Sequence, residues 1–284
     1  MKKQRPTTVA GVLVQIAIYT FLGFWTVIVI FPMVWVLVSS FKTDQEIFFS
    51  PWLPPAVPQW DNFARAWSEA SMGRYLFNSL IVILPAIFFT LLFSAMAGYV
   101  LARYEFPGNR AIFFGFMGGM LFPVVLALVP LFFLLNNLKI LDSHFGLILV
   151  YIAYSLPFTV FFMTGFFKTL PSELIEAAVI DGANHYQTFF RIVIPLSQNG
   201  LVSMGIFNFL GQWNQYILPL VLLTSSQKYV LSQGLAFLAH QQRYQSDWSG
   251  LFAAIAIVML PTLIVYIIFQ NQIQQGLTIG ALKG

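Results

Sequence analysis

Six long stretches of the sequence contain no charged residue, and this feature restricts the fold more than any other. Each is longer than the roughly 20 residues with which an α-helix crosses a hydrocarbon core of about 30 Å. The stretches cover residues 14–38, 76–101, 111–135, 145–167, 199–223 and 249–270. We therefore predict an all-α, polytopic membrane protein with six transmembrane helices.

The overall composition agrees with a membrane protein and excludes several soluble classes. Hydrophobic residues make up 58% of the 284 residues and charged residues only 8%, whereas about a quarter of an average soluble domain is charged. So few charges cannot cover the surface of a soluble enzyme or of a protein that binds nucleic acid. The sequence has no cysteine, so it offers no disulfide and no thiolate metal site.

The spans also lack the groups that several membrane chemistries require. They contain no charged residue and no histidine, so they offer no ion-coupling group, metal-ligand cluster or catalytic triad. No G-x-x-x-x-G-K-[ST] sequence is present, and a P-loop ATP site is therefore not expected. We predict a chain that is not an enzyme, with no catalytic or metal-binding residue and no bound cofactor. Energy for uphill transport would have to come from another polypeptide.

Basic residues indicate the orientation, and prolines are expected to bend the spans. Lys2, Lys3 and Arg5 precede the first span and Lys42 follows it, which favours cytoplasmic termini because cytoplasmic loops are richer in Lys and Arg. Seven prolines lie inside the spans. Each is expected simply to bend its helix, as proline commonly does in membrane helices.

The segment between the fourth and fifth spans is predicted to form two short helices joined by a sharp bend. Ser172 is expected to cap the first helix, and Gly182 to end it in a left-handed conformation. Asn184 is expected to cap the second helix, with Gln187 completing a capping box. Pro195 is expected to end that helix.

The first of these short helices has a narrow apolar face. The face consists of Leu174, Ile175, Ala178 and Val179. It could lie in a groove on a partner protein, or fold back onto the chain's own helix ends. The sequence leaves both alternatives open.

This segment resembles the EAA loop of binding-protein-dependent ABC importers. The pattern of that family reads E-A-A, a glycine, nine residues and then I-x-L-P. Its positions are matched by Glu176, Ala177, Ala178, Gly182, Ile192 and Pro195, with Ile194 where leucine is usual. The chain end from Gln275 to Gly284, the segment 51–63 and the pair Trp213-Asn214 are similar to the smaller permease subunit of maltose-type carbohydrate importers.

The resemblance implies a fold, an activity and a set of partners. It implies a MetI-like fold in which residues 1–284 form a single permease domain, with residues 168–198 and the tail 271–284 on the cytoplasmic side. The implied activity is ATP-driven import of a sugar or oligosaccharide across a bacterial or archaeal inner membrane. The implied partners are a second permease, two ATPase subunits that hold ATP and Mg, and an extracytoplasmic sugar-binding protein.

The resemblance also implies which residues contact the ATPase. The implied docking residues are Glu176, Ala177, Ala178, Asp181, Gly182, Ala183, Ile192 and Pro195. Glu176 would pair with a basic residue, the two alanines would permit close approach, and Gly182 would set the angle of the bend. In the tail, Thr278, Gly280, Lys283 and Gly284 would reach the ATPase; the alternative is an ordinary frayed terminus.

Polar residues of the fifth span are candidates for the path of the solute. They are Asn208, Gln212, Trp213, Asn214, Gln215 and Tyr216. Neutral amides beside aromatic rings suit an uncharged, polyhydroxylated solute. The alternative is that they only form hydrogen bonds between helices.

Two other functions remain open at this point. One is an importer of the same type for glycerol phosphate, whose anion Arg65, Arg74 or Arg243 could attract. The other is an ATP-independent channel or a membrane scaffold.

Overall fold

The chain folds as an all-helical membrane protein. A computed structural model describes residues 9–281, with side chains for residues 11–241 and 246–272, and this part contains no β-strand. Four of its helices are long and apolar enough to cross a membrane. They are Gly11–Ser39, Met72–Arg103, His144–Phe167 and Trp248–Gln272. A further two spans are obtained if each of two sharply bent helix pairs crosses once.

The α-helices are numbered in chain order. They are α1 Val9–Ser39, α2 Asp44–Phe49, α3 Asp61–Ala64, α4 Met72–Arg103, α5 Asn109–Leu121, α6 Val124–Asn137, α7 His144–Phe167, α8 Ser172–Ile180, α9 His185–Thr188, α10 Ile194–Leu196, α11 Gln198–Trp213, α12 Ile217–Leu222, α13 Leu231–Gln245 and α14 Trp248–Ala281. Two π-helical turns, Arg65–Glu69 and Phe189–Val193, follow α3 and α9 directly, and a 3₁₀ turn covers Ser226–Lys228.

The predicted third span, 111–135, is not one helix. Helices α5 and α6 meet at 99°, because Phe122 and Pro123 both have extended backbones, with ψ angles of 116° and 122°. The ring of a proline disfavours the helical conformation of the residue before it, and here the chain turns instead of bending slightly. Pro130 further along remains inside α6.

The predicted fifth span, 199–223, is also divided. Helix α11 ends at Trp213, and α12 begins only at Ile217. Pro219 lies in the first turn of α12, where a missing N–H costs no helical hydrogen bond. The expectation that every proline would only bend its span is therefore wrong at Pro123, and Pro219 belongs to a new helix.

Contacts between Cα atoms divide the chain into two compact units. The first comprises the described residues up to Ala70 together with Leu238–Ile257. The second comprises Ser71–Phe237 and the chain from Val258 onward.

The first unit contains a buried lysine that ties down the loop after α2. Lys42 is fully buried at 0% exposure, and its Nζ donates hydrogen bonds to the carbonyl oxygens of Ser50 at 3.1 Å and Pro51 at 2.8 Å. The amide of Asn62 donates to the carbonyl oxygens of Ser40 and Lys42. These bonds add donors for the carbonyl oxygens of an irregular loop, in which the Ser50 oxygen also accepts from the N–H of Leu53 and the Pro51 oxygen from Trp35 Nε1.

An ion-pair cluster lies elsewhere in the first unit. The Arg65 guanidinium contacts a carboxylate oxygen of Asp61 at 2.6 Å and one of Asp247 at 3.2 Å. Burial on its own raises the pKa of Asp247, but the hydrogen bonds from Arg65 and the Gly250 N–H outweigh it and lower that pKa. The single charge of Arg65 is thus shared between two carboxylates of the same unit.

The second unit is built on a close seam between α4 and α7. A Cβ added at Gly98 would lie 3.0 Å from the backbone nitrogen of Thr164, so the two helices approach closely at a residue without a side chain. Helix α11 runs antiparallel to α7. Its Gly200 faces the ring of Phe166, which leaves no room for a Cβ.

An aspartate fixes the loop that precedes α13, at the end of the second unit where α4 and α7 begin. Asp142 accepts hydrogen bonds from the backbone N–H groups of Thr224 and Ser225, from the Ser225 hydroxyl and from Lys228 Nζ. Burial raises the pKa of Asp142, but these four bonds outweigh it and hold the pKa well below its ordinary value. The carboxylate therefore stays charged and fixes this loop.

Candidate functional site

The first candidate site is a bent segment at the end of the second unit where α4 and α7 finish. We call residues Ser172–Leu196 the elbow, with α8 as its first arm. The first arm ends in a Schellman motif: the N–H of Gly182 donates to the carbonyl of Val179 at 3.0 Å, and that of Ala183 to Ala178 at 2.9 Å. Gly182 has a φ of 82°, so the left-handed conformation predicted for it is observed.

The second arm of the elbow, His185–Leu196, starts with the capping box that the sequence predicts. The Asn184 side chain accepts from the N–H of Gln187, and the Gln187 side chain accepts from the N–H of Asn184, both at 2.9 Å. His185 Nδ1 lies 2.9 Å from the Tyr104 hydroxyl, which connects the second arm to the end of α4.

Two local predictions for the elbow are wrong by small margins. Ser172 is the first helical residue of α8, and Pro171 stands at the N-cap without a side-chain hydrogen bond, because the fixed φ of proline already sets the entry to the helix. Pro195 does not end the second arm, which continues to Leu196. The N–H of Ile194 donates to the carbonyl of Phe189, five residues earlier. The backbone hydrogen bonds have therefore already changed from the α-helical to the π-helical spacing before Pro195.

The second arm is embedded in the core of the second unit. Phe189 is 7% exposed and Val193 is 0% exposed. Both pack in a cluster whose other buried members come from α4, α7 and α11: Ala95, Tyr99, Met163, Phe167 and Met204. The second arm is therefore a continuation of the helix core rather than a surface loop.

The first arm divides its apolar residues between the core and the surface. Ala178 is 5% exposed and Ile175 packs against the core cluster, so this part folds back onto the chain. Val179 and Ile180 point outward and are 57% and 85% exposed, and Leu174 is also exposed. The alternative that the face folds back onto the chain therefore holds for Ile175 and Ala178, whereas Leu174 and Val179 remain exposed.

The residues implied as docking contacts are distributed in the same way. Glu176, Ala177, Asp181, Gly182 and Pro195 are exposed, whereas Ala183 and Ile192 are half-buried and Ala178 is buried. Four of the exposed members lie at or near the bend and Pro195 lies at the far end of the elbow, whereas Ala178 lies against the chain's own core.

The second candidate site is a cavity of about 290 Å³ between α7 and α11. Of the fifth-span residues predicted for the solute path, Asn208, Gln212 and Gln215 line it. The opposite wall carries Tyr151, Tyr154 and Ser155 of α7. None of the described residues lining the cavity carries a charge.

The amides of this cavity also hold the two helices together. Asn208 Nδ2 donates to the hydroxyl of Thr159 at 3.1 Å, and Gln212 Nε2 donates to that of Ser155 at 3.1 Å. The Gln212 Oε1 atom is buried and has no hydrogen-bond partner among the described residues. An unpartnered acceptor on a cavity wall is suited to a hydroxyl donor of a solute.

Three predicted path residues lie away from the cavity. Trp213 is buried, and its Nε1 donates to the carbonyl of Val258 at 3.1 Å. Asn214 caps the end of α11 by donating to Leu210, and Tyr216 precedes α12. Trp213 is the last residue of α11, and Asn214 and Tyr216 lie in the break between α11 and α12.

Sequence reasoning missed the α7 wall of the cavity. Tyr151, Tyr154 and Ser155 are spaced three and four residues apart, which places them on one face of a helix. That spacing was available in the sequence, but an aromatic stripe in an apolar span looks the same whether it faces a cavity, another helix or lipid.

The remaining predicted site residues lie in the tail. Helix α14 extends to Ala281 and so includes Thr278 and Gly280. The side chains beyond residue 272 lie outside the described part. Lys283 and Gly284 lie wholly outside the described residues. Among the described residues no group of three or more His, Cys, Asp or Glu could hold a metal ion.

Comparison with known proteins adds independent evidence. Residues 94–279 match the family described as binding-protein-dependent transport system inner membrane component. The chain is 47% identical over 259 residues to the diacetylchitobiose uptake system permease protein NgcG of Streptomyces coelicolor, covering 91% of this chain and 86% of that protein.

Two further similarities span almost the full length. The arabinooligosaccharides transport system permease protein AraQ of Bacillus subtilis is 32% identical, with 95% of this chain and 96% of that protein covered. The fold resembles a chain of a bacterial ABC transporter involved in the import of the acidic polysaccharide alginate, with a TM-score of 0.82 and 20% identity over 94% of this chain and 99% of that chain.

Proposed function

The chain belongs to the family of binding-protein-dependent transport system inner membrane components, and on this basis we propose that it is a permease subunit of an ATP-driven importer for a sugar or oligosaccharide. As a member of this family it is a multi-pass transporter subunit, not an enzyme. We propose that ATP and Mg bind to two ATPase partners, and that a second permease and an extracytoplasmic sugar-binding protein complete the assembly.

The observation that carries the proposal is the construction of the elbow. Its second arm is buried among α4, α7 and α11 through Phe189 and Val193, while its first arm turns Val179, Ile180 and Glu176 outward. Exposed apolar side chains on a short helix favour a partner with a complementary groove. An ATPase held there would be connected to the helices around the cavity by close-packed contacts.

In this arrangement the elbow faces the cytoplasm, where ATP is available. Both termini are then cytoplasmic, in agreement with the basic residues that precede the first span. Glu176 is exposed and can pair with a basic residue of the ATPase, and the exposed bend at Gly182 sets the direction of the first arm.

The cavity supports a neutral, hydroxyl-rich solute. Tyr151 and Tyr154 offer aromatic faces, and Asn208 and Gln212 offer amides, on a wall with no charge among the described residues. Relatives are named for diacetylchitobiose and arabinooligosaccharides, and we propose a related oligosaccharide as the cargo. Glycerol phosphate is less favoured, because Arg65, one of the cations that could have attracted it, already contacts Asp61 and Asp247.

The proposal is tested by reconstituting the chain with its companion permease and ATPase in liposomes. We expect uptake of a labelled oligosaccharide that requires ATP and the binding protein. Glu176→Lys should reduce retention of the ATPase in a detergent pull-down about tenfold or more, because it brings like charges together, and uptake should fall with it.

Glu173→Lys is the matched control, since Glu173 is also an exposed glutamate of the first arm. It should retain the ATPase nearly as well as the unchanged chain. Equal loss in both variants would show a general charge effect and no specific docking. ATP-independent uptake by the chain alone would identify a channel and overturn the proposal.

A further inference from the structure

A second, basic cavity is lined by no residue of the elbow or of the first cavity, and only the apolar groove next to it shares residues with the elbow. The basic cavity has a volume of about 620 Å³ and lies at the end of α4, the beginning of α5 and the residue after α7. Three basic residues line it, namely Arg103, Arg110 and Lys168, together with one acidic residue, Glu105. Cavities of this size commonly hold small ligands.

The three cations have no carboxylate paired with them in the part of the chain that the structure describes. Arg103 donates from Nη2 to the carbonyl oxygen of Leu170, but its Nε is buried and has no partner in the described part of the chain. Lys168 Nζ lies 5.8 Å from the centre of the Phe113 ring. Three cations that line one cavity, two of them guanidiniums, favour an anion with several acceptor oxygens.

The backbone at this cavity also favours a negative group. Helix α5 begins at Asn109 on the cavity wall, and the N-terminus of a helix attracts anions. The cavity thus combines two planar guanidiniums, one ammonium group and a helix end. This combination matches a phosphate better than a single carboxylate.

An apolar groove adjoins the basic cavity. It has a volume of about 440 Å³ and is lined by Met96, Val100, Phe189 and Phe190, among others, with Tyr104 contributing to both the groove and the cavity. Met96 and Val100 are exposed on the membrane-spanning helix α4. A polar, cationic recess that shares a wall with an apolar groove fits a molecule with an anionic head and a hydrocarbon chain.

We propose that this cavity binds the phosphate of an anionic phospholipid, with an acyl chain along the apolar groove. Basic pockets between membrane helices are known to hold such headgroups. We assign this lipid to the inner leaflet, because the elbow is proposed to face the cytoplasm. The binding itself does not depend on that orientation or on sugar transport.

The experiment uses the full chain in detergent micelles and native mass spectrometry. Phosphatidylglycerol and phosphatidylcholine are added in equal series, and the lipid-bound fraction is measured. We expect preferential retention of phosphatidylglycerol. Inorganic phosphate at about 10 mM should compete only weakly, because it lacks the acyl chain. Equal retention of the two lipids would overturn the proposal. Full displacement by inorganic phosphate would indicate a free-phosphate site and overturn the lipid assignment.

Variants localise the site. Arg110→Gln with Lys168→Gln should weaken phosphatidylglycerol binding about 30-fold, at about 5-fold for each cation removed. Arg110→Lys with Lys168→Arg keeps both charges and should retain most of the binding. Arg191→Gln removes an exposed cation of the elbow that does not line the cavity, and it should have little effect.

Equal loss in the Arg191 variant and in the double variant would mean diffuse attraction and would count against the cavity. If the double glutamine variant fails to fold, the variant Arg110→Lys with Lys168→Arg provides the test. Loss of lipid binding in that variant, with its melting temperature unchanged, would contradict a site recognised by charge. If the double variant loses the ATPase in lipid-free detergent while its phosphatidylglycerol retention stays normal, the cavity is a protein contact and the proposal fails.

Discussion

The bend of the elbow permits a prediction in which a larger side chain is tolerated better than a smaller one. Gly182 has a φ of 82°, and a Cβ added there would meet nothing within 4 Å. A substitution is therefore opposed by backbone conformation and not by lack of space. For an L-residue such as alanine the left-handed conformation costs roughly 1–2 kcal/mol, whereas asparagine adopts it more readily.

We expect a graded series in ATPase docking. Gly182→Asn should stay close to the unchanged chain, and Gly182→Ala should weaken retention about 5- to 30-fold, the equivalent of 1–2 kcal/mol. Gly182→Pro should abolish retention, because proline fixes φ near −65° and lacks the N–H that donates to the carbonyl of Val179. The assay is ATPase affinity for the detergent-purified variants, with oligosaccharide uptake in liposomes as the second readout.

Gly165→Ala is the control for a glycine change near the same end of the unit. A Cβ at Gly165 also meets nothing within 4 Å, and its φ is not left-handed. It should leave docking and uptake unchanged. If Gly182→Asn weakens docking more than Gly182→Ala does, side-chain volume is the deciding quantity and the conformational argument is refuted.

Three further predictions concern the cavity and the loops. Gln212→Leu should reduce oligosaccharide uptake several-fold more than Asn214→Leu, because only Gln212 lines the cavity; equal uptake kinetics would remove the cavity from the path. The low folded-state pKa of Asp142 means that its stabilisation is complete above the unfolded pKa of about 3.9 and decreases as the pH falls below it. Thermal unfolding of the unchanged chain should therefore lose stability at acid pH more steeply than Asp142→Asn, and parallel pH profiles would contradict this. Lys42→Met should lower the melting temperature by several degrees, because the carbonyl oxygens of Ser50 and Pro51 each lose one hydrogen bond and keep only the one from Leu53 or Trp35; an unchanged melting temperature would show that the lysine bonds are not needed.

Local features of the elbow could be predicted because nearby residues determine them. The left-handed glycine and the Asn184–Gln187 capping box depend on backbone chemistry within four residues. The burial of Phe189 and Val193 depends instead on partners almost a hundred residues away in the sequence, such as Ala95 and Tyr99. A short helical pattern with aromatic residues does not reveal such partners.

The membrane helices show the same division between local and distant causes. The existence of all six apolar stretches follows from hydropathy, but hydropathy is insensitive to a turn between two apolar helices. The sequence around the 99° bend at Phe122–Pro123 is as apolar as the sequence of the continuous helix through Pro85. Pro85 and Pro123 both lie in apolar sequence, and the break in the fifth span lies at residues 214–216, so hydropathy alone could not divide the third and fifth spans.

The insertion of the elbow into the helix core has a mechanical consequence. A close-packed protein interior is hardly compressible, so a load on the second arm is not absorbed by rearrangement around Phe189 and Val193. At Gly98 the seam between α4 and α7 has no slack either, since even a methyl group would meet backbone atoms. A push or pull on the elbow is therefore expected to move the helices packed against it together.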